Sequence, residues 1–404
     1  MPDPQAPGAV VQGSLNGVKP RRRLLILTPY SPKTLHGHAA DDLGKHLVET
    51  LSEEFDLHVY APDQVESSSS TVAGGLITYH AGSAPRPSFS RHLGVFPAGL
   101  RKDWSRDNTR EAMAVLDRVG PDLVHVEYLQ PVEALRRQTS LPWSLTLHDI
   151  TSRVFAQRAA RSKGVERPYR WIEHLRALHL EKAVVRKANR IFTLSSRDAS
   201  WVRSKSPDRS VTHVKIGIEI SEEPWSAGDC DSSVFVFAGA MWRDSNSAVA
   251  VYLAHEVMPL VWKTLPKAVL RIVGARPSPV VVELGQDPRI QIVGLVPSIE
   301  SEYLGAVAVL APTLVDAGVL LKALRALACG SPLILNSAAA DPLEVTDDVH
   351  CYIRDTPESF AEKMIQISRD PQMAEELAAS GRGFVRTEFS WRRYGQIMTS
   401  GIGG

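Results

Sequence analysis

Residues 309–344, VLAPTLVDAGVLLKALRALACGSPLILNSAAADPLE, decide the fold. The run reads as a buried strand over 309–312, a loop, a helix opening near Ala317 and Gly318, and a second strand over 332–336. Short apolar runs bounded by Gly and Pro suit strands buried on both faces. A helix that opens from a glycine-containing loop after a strand turns free backbone N–H groups and a positive dipole end into that loop. This suits an anion such as a diphosphate. Lys322 falls about one turn inside the helix, where its flexible ammonium reaches the same anion. Arg325 follows three residues later on the same helical face.

The same strand–loop–helix unit recurs in both directions. Leu24–Thr28 is a buried strand, PYSPKTLHGH a loop, and Leu43, Leu47 and Leu51 mark one face of the next helix. Strands follow at 57–60, 123–127, 145–148 and 190–194, with helices at 109–118 and 166–189; residues 67–100, rich in Ser, Gly and Pro, read as largely irregular. A second series gives strands at 234–237, 269–273, 290–293 and 307–311, and helices at 248–263, 357–369 and 373–382. Repeated β-α alternation predicts an α/β protein of two Rossmann-like domains. The length agrees, since 404 residues exceed one ordinary core and fit two domains of ~150–200 residues. The expected division is a disordered tail over 1–20, a first domain over 21–218, a linker over 219–233, a second domain over 234–385 and a final helical segment over 386–404.

A net charge of +1 and 44 % hydrophobic residues describe a globular chain with no global case for nucleic-acid binding. Cys230, Cys329 and Cys351 are far apart and form no C-x-x-C pair, so they read as reduced thiols of a cytoplasmic protein. Arg21–Arg23 with Leu24–Leu27 faintly imitates a signal peptide, but the apolar part stops at Thr28-Pro29. No segment approaches the ~20 apolar residues of a membrane span.

Seven stretches, in order, resemble retaining glycosyltransferases of family four, which have the GT-B architecture of two facing Rossmann-like domains with a C-terminal helix crossing back to the first. They are TPYSP followed by Gly37, DLVHVEY (122–128), LTLHDI (145–150), ANRIFTLSSRDASWV (188–202) with Ser195 and Asp198, FAGAMWRDSNSAVA (237–250), VGLVPSIESEYLGAVAVLAP (293–312) and FSWRRYGQIM (389–398). The resemblance implies transfer of a sugar from a nucleoside-diphosphate sugar to a glycan, lipid-linked or small-molecule acceptor, with retained anomeric configuration. It implies no cofactor and no metal. Lys322 matches the family's diphosphate-binding lysine, Gly318 opens the helix beside it, and Arg243 follows a strand where the family supplies a phosphate-contacting cation. Gly37 matches the glycine of the loop that meets the donor from across the cleft, and His148 the histidine that contacts the donor sugar. Asp149 either joins it or caps the next helix.

Arg325 departs from this pattern. The family has there a glutamate that holds the donor ribose hydroxyls, whereas a guanidinium carries donors only. The preceding acidic position falls on Ala317, beside Asp316, and Leu314 fills a place often basic in relatives. Arg325 therefore binds a differently charged donor, marks a lost donor site, or pairs with Asp316 or another acid. The alternative function is accordingly a non-catalytic GT-B homologue serving an active transferase as partner or scaffold. Residues 153–190 carry eleven Lys and Arg against Glu166, Glu173 and Glu181. That excess reads either as a solvated helix face or as peripheral contact with an anionic membrane, at the inner membrane face.

Overall fold

The computed structural model describes residues 21–34, 40–72, 75–85, 94–135, 141–315 and 319–404. Eight strands form the first sheet: β1 (Arg23–Leu27), β2 (Asp56–Tyr60), β3 (Ser68–Val72), β4 (Gly75–His80), β5 (Leu123–Glu127), β6 (Trp143–Leu147), β7 (Arg190–Thr193) and β8 (Ser210–His213). Six form the second: β9 (Asp231–Ala238), β10 (Val269–Val273), β11 (Ile290–Gly294), β12 (Ala306–Leu310), β13 (Leu333–Leu335) and β14 (Tyr352–Ile353). Their orders, β3-β4-β2-β1-β5-β6-β7-β8 and β11-β10-β9-β12-β13-β14, place the first strand of each series centrally and reverse direction there. Every pairing is parallel except β3 with β4. Two doubly wound sheets result, as the GT-B architecture requires. That antiparallel hairpin lies in the Ser-rich stretch read as irregular; its outer strand alternates half-buried and exposed residues. β9 begins at Asp231, within the segment read as linker.

Several helices depart from their sequence reading. The first after β6 is Thr151–Arg161, which the periodicity did not single out, and Glu166–Val185 packs against it. The single helix expected over 248–263 is three pieces, Asp244–Tyr252, a π turn at Leu253–Val257, and Met258–Trp262 with Pro259 near its start. Proline cannot donate to the preceding turn, which accounts for the break. The helix of the opening stretch is Leu321–Cys329, ended by Gly330 in the left-handed region (φ 71°).

Helix Pro371–Glu388 leads into Trp391–Gly403, which returns to the first domain. There Trp391 stacks on His46 (3.9 Å between ring centres), and Gly395 lies so close to Thr50 that a Cβ would come within 2.6 Å of its methyl. Tyr394, Met398 and Ile402 are buried in an apolar core that also holds Leu47 and Leu51 of helix Ala40–Ser52 and Ala323 and Leu327 of the second domain. Contacts that cross between the domains come from the C-terminal strand ends. Arg161 donates to the carbonyl of Leu314, and Arg325 Nη2 lies 3.1 Å from Asp42 Oδ2. Lys215 bridges Glu344 (2.9 Å) and Glu388 (3.1 Å). No helix among the described residues is long and apolar enough to cross a membrane.

Candidate active site

Two half-sites meet at those strand ends. On the second domain, β9 ends at Ala238 and the chain turns through Gly239 to Arg243, the N-cap of helix Asp244–Tyr252. Lys322 is the second residue of helix Leu321–Cys329, in its first turn rather than one turn inside as the sequence suggested. Leu320 is extended (φ −85°, ψ 99°), so the apolar pair Val319-Leu320 prolongs the helical pattern without joining the helix. Both helix starts therefore bring N–H groups to one place. Lys322 Nζ donates to Asn246 Oδ1 at 3.0 Å and lies 4.3 Å from the ring centre of Phe237. Burial, and then the neighbouring Arg243 guanidinium, bring the Lys322 ammonium down to about 7. Among the described residues neither Lys322 nor Arg243 forms an ion pair. Room for the turn depends on Gly274 (φ 149°), where a Cβ would come within 1.7 Å of the Gly239 carbonyl oxygen.

On the first domain, β5 and β6 end in a linked histidine–glutamate set. Glu127 is buried and accepts from both sides: His125 Nε2 is 2.7 Å from Oε1, and His148 Nε2 is 2.5 Å from Oε2. His125 Nδ1 meets Ser144 Oγ at 2.8 Å. Burial pushes the Glu127 carboxyl up, but the bonds to His125 and His148 outweigh it and hold the group well below the usual carboxylate range. Tyr128 adopts φ 68° and stacks on the His148 ring at 3.6 Å. Tyr30 packs edge-on to Tyr128 at 5.4 Å; burial, then Asp103, raise its phenol, while Arg243 of the other domain opposes that rise. Tyr394 of the returning helix is fully buried near Glu127 and Tyr128, and its hydroxyl has no hydrogen-bond partner among the described residues.

Of the sequence-derived site residues, Lys322 and Arg243 come together on one wall and His148 stands on the other. Gly37, Asp316 and Gly318 lie outside the described residues. Asp149 does not cap the following helix, whose N-cap is Ile150; it accepts from the Thr151 hydroxyl at 3.2 Å. Ser195 caps helix Ser196–Lys205 through the Asp198 amide (3.1 Å), and the Asp198 carboxylate is 3.5 Å from Arg153, so this motif is structural here. Arg325 pairs with Asp42 and, at 4.0 Å, with Glu300. Glu127 was missed in the sequence, although His125 and Glu127 two residues apart on one strand face the same side.

Two family models match the chain, "Glycosyltransferase Family 4" over residues 40–222 and "Glycosyl transferases group 1" over residues 232–370. The chain carries both halves of a GT-B glycosyltransferase. No curated protein matches it by sequence. Its fold is similar to that of sucrose-phosphate synthase from Thermosynechococcus elongatus (TM-score 0.71, 16 % identity, 94 % of this chain and 98 % of that one). It is also similar to WaaG, a glycosyltransferase involved in lipopolysaccharide biosynthesis (0.65, 13 %, 94 % and 100 %). A third is HepE from Anabaena in complex with UDP-glucose (0.63, 12 %, 93 % and 98 %). In this glycosyltransferase the group 1 match holds Arg243, Lys322 and Arg325, and the family 4 match holds Asp42, Glu127 and His148.

Proposed function

We propose that this glycosyltransferase moves a sugar from a nucleoside-diphosphate sugar to an acceptor hydroxyl with retention of anomeric configuration. The carrying observation is Lys322. It is a half-buried lysine at a helix start, its ammonium desolvated beside a second cation and with no described carboxylate partner, and an anion is what such a place lacks. As the glycosidic bond from the anomeric carbon to the diphosphate breaks, Lys322 and Arg243 stabilise the growing charge without a metal. The acceptor oxygen bonds to the same face of that carbon, and its proton passes to the departing diphosphate oxygen. His148, held through Nε2 by Glu127 and stacked on Tyr128, positions the sugar. Gly37, Asp316 and Gly318 keep the donor-binding roles that the resemblance implies.

Arg325 changes the ribose end. At the place where the resemblance expects a carboxylate, the guanidinium draws in Asp42 from the facing domain and lies beside Glu300. Acceptors for ribose hydroxyls are then supplied by these two carboxylates rather than by residue 325. Calorimetric titration with UDP-, GDP- and dTDP-sugars tests the reading, UDP-glucose first because HepE is similar in fold. Micromolar binding of one donor, weakened in Lys322→Met, is expected. Silence across the panel would favour the non-catalytic reading.

A further inference from the structure

Helix Glu166–Val185 is apolar on two opposite faces. Its inner face buries Ala177, Leu180, Val184 and Val185. Its outer face presents Trp171, Ile172 and Leu175, which are 40, 48 and 59 % exposed, and Val165 just before the helix is 93 % exposed. Single exposed apolar residues are ordinary, but four of them within one turn-and-helix segment form a patch that needs a covering. The charges are sorted the same way. Glu173 and Glu181 are turned inward and buried, and Glu166 is 3.9 Å from Arg170. Lys163 and Arg167 flank the apolar patch, while Lys182 and Arg186 continue the outer face beyond it. Among the described residues none of these four cations is in an ion pair. Three others of the basic segment are consumed internally, Arg153 by Asp198, Arg170 by Glu166 and Arg176 by Glu173.

An aromatic and aliphatic ridge bordered by cations, with its carboxylates withdrawn, matches an anionic bilayer. The apolar side chains enter the boundary between headgroups and acyl chains while the cations meet lipid phosphates. The ridge begins four residues after Arg161, whose guanidinium reaches Leu314 on the other side of the cleft. We propose that this outer face docks on an anionic membrane surface and holds the mouth of the cleft against it, so that the acceptor is one carried in that membrane. The acceptor clause rests on the transferase reading; the docking itself does not.

Co-sedimentation of the full chain with phosphatidylglycerol-rich vesicles, against pure phosphatidylcholine vesicles, tests it without turnover. The expected result is binding to the anionic vesicles alone, weakened as salt is raised. Replacing Trp171, Ile172 and Leu175 together by Ser lowers that affinity by about tenfold or more. The pair Lys182→Glu and Arg186→Glu weakens it independently, and both variants melt as the parent does because none of the replaced side chains is buried. Absence of vesicle binding overturns the proposal, as does binding that neither variant moves. Dimers in light scattering that the Ser variant disperses, without vesicle binding, assign the face to a second copy and overturn it too. Calorimetry of the same variants with a donor separates the two readings, since docking can fail while donor binding stands, or the reverse.

Discussion

Lys322 makes donor binding a proton-uptake reaction. Its ammonium titrates near 7 because burial and Arg243 disfavour the charge, and a diphosphate in contact with it restores the charged form. In the free protein the proton leaves as pH rises through about 7, so affinity is highest below that pH and falls above it, approaching tenfold per pH unit. The stoichiometry follows from the same midpoint. Binding takes up about 0.1 proton at pH 6, about 0.5 at pH 7 and about 0.9 at pH 8. An intact nucleotide sugar is the right ligand, because its diphosphate diester does not itself titrate across this range. Calorimetry at each pH, in buffers of different ionisation enthalpy, reads the uptake directly. Lys322→Met should weaken binding at pH 6 and abolish the buffer dependence at pH 8. Buffer-independent heats at pH 8 would refute the reasoning, and so would uptake that survives in Lys322→Met.

The Arg325–Asp42 pair is half exposed, so its loss costs only ~0.2–1 kcal/mol of stability. Arg325→Glu faces Asp42 and Glu300 with a like charge, and donor affinity should fall in that variant and recover when Asp42→Arg is added; failure to recover would show that the pair itself is not what matters. Glu127→Gln removes the carboxylate between two histidines and should cost roughly 2–4 kcal/mol in urea unfolding at pH 7. Because the Glu127 carboxyl titrates below its ordinary value of 4.5, the parent's advantage is present above that pH and declines as pH falls below it; an advantage unchanged at pH 3 would contradict the assignment. Glu181 is the opposite case, since burial, outweighing its bonds from Ser152, raises it from 4.5 to about 7. It therefore takes stability away as pH rises from 4.5 through 7, and Glu181→Gln should gain up to about 3 kcal/mol over the parent at pH 8.5 but little at pH 5. An equal gain at both pH values in urea melts would rule this out.

The parts legible in the sequence were those set by local pattern. Apolar runs placed the central strands of both sheets but not β3, β4, β8 or β14, and a histidine at the end of one run marked a C-terminal sheet edge. What stayed hidden was set by partners distant in sequence. Arg325 looked like an isolated departure because Asp42 lies in the other domain, and nothing near either residue signals the other. The start of the Lys322 helix was misread because Val319 and Leu320 extend its apolar spacing, although both precede the helix and Leu320 is extended. Helix Glu166–Val185 was seen as a charge run, and counting charges concealed that its glutamates point inward while Trp171, Ile172 and Leu175 point out. Glu127 was overlooked as one more strand residue, although a carboxylate inside an apolar strand must find partners.

The returning helix has a consequence for biosynthesis. The first sheet is complete at His213, yet the helix that covers Thr50, His46 and Phe192 begins only at Trp391. A ribosome delivers the N-terminal part first, at ~5–20 residues per second. During translation of the whole second half, the first domain therefore waits with an apolar groove uncovered, a nascent surface on which a chaperone would act. Its last folding step is the capture of Tyr394, Met398 and Ile402 once they leave the exit tunnel.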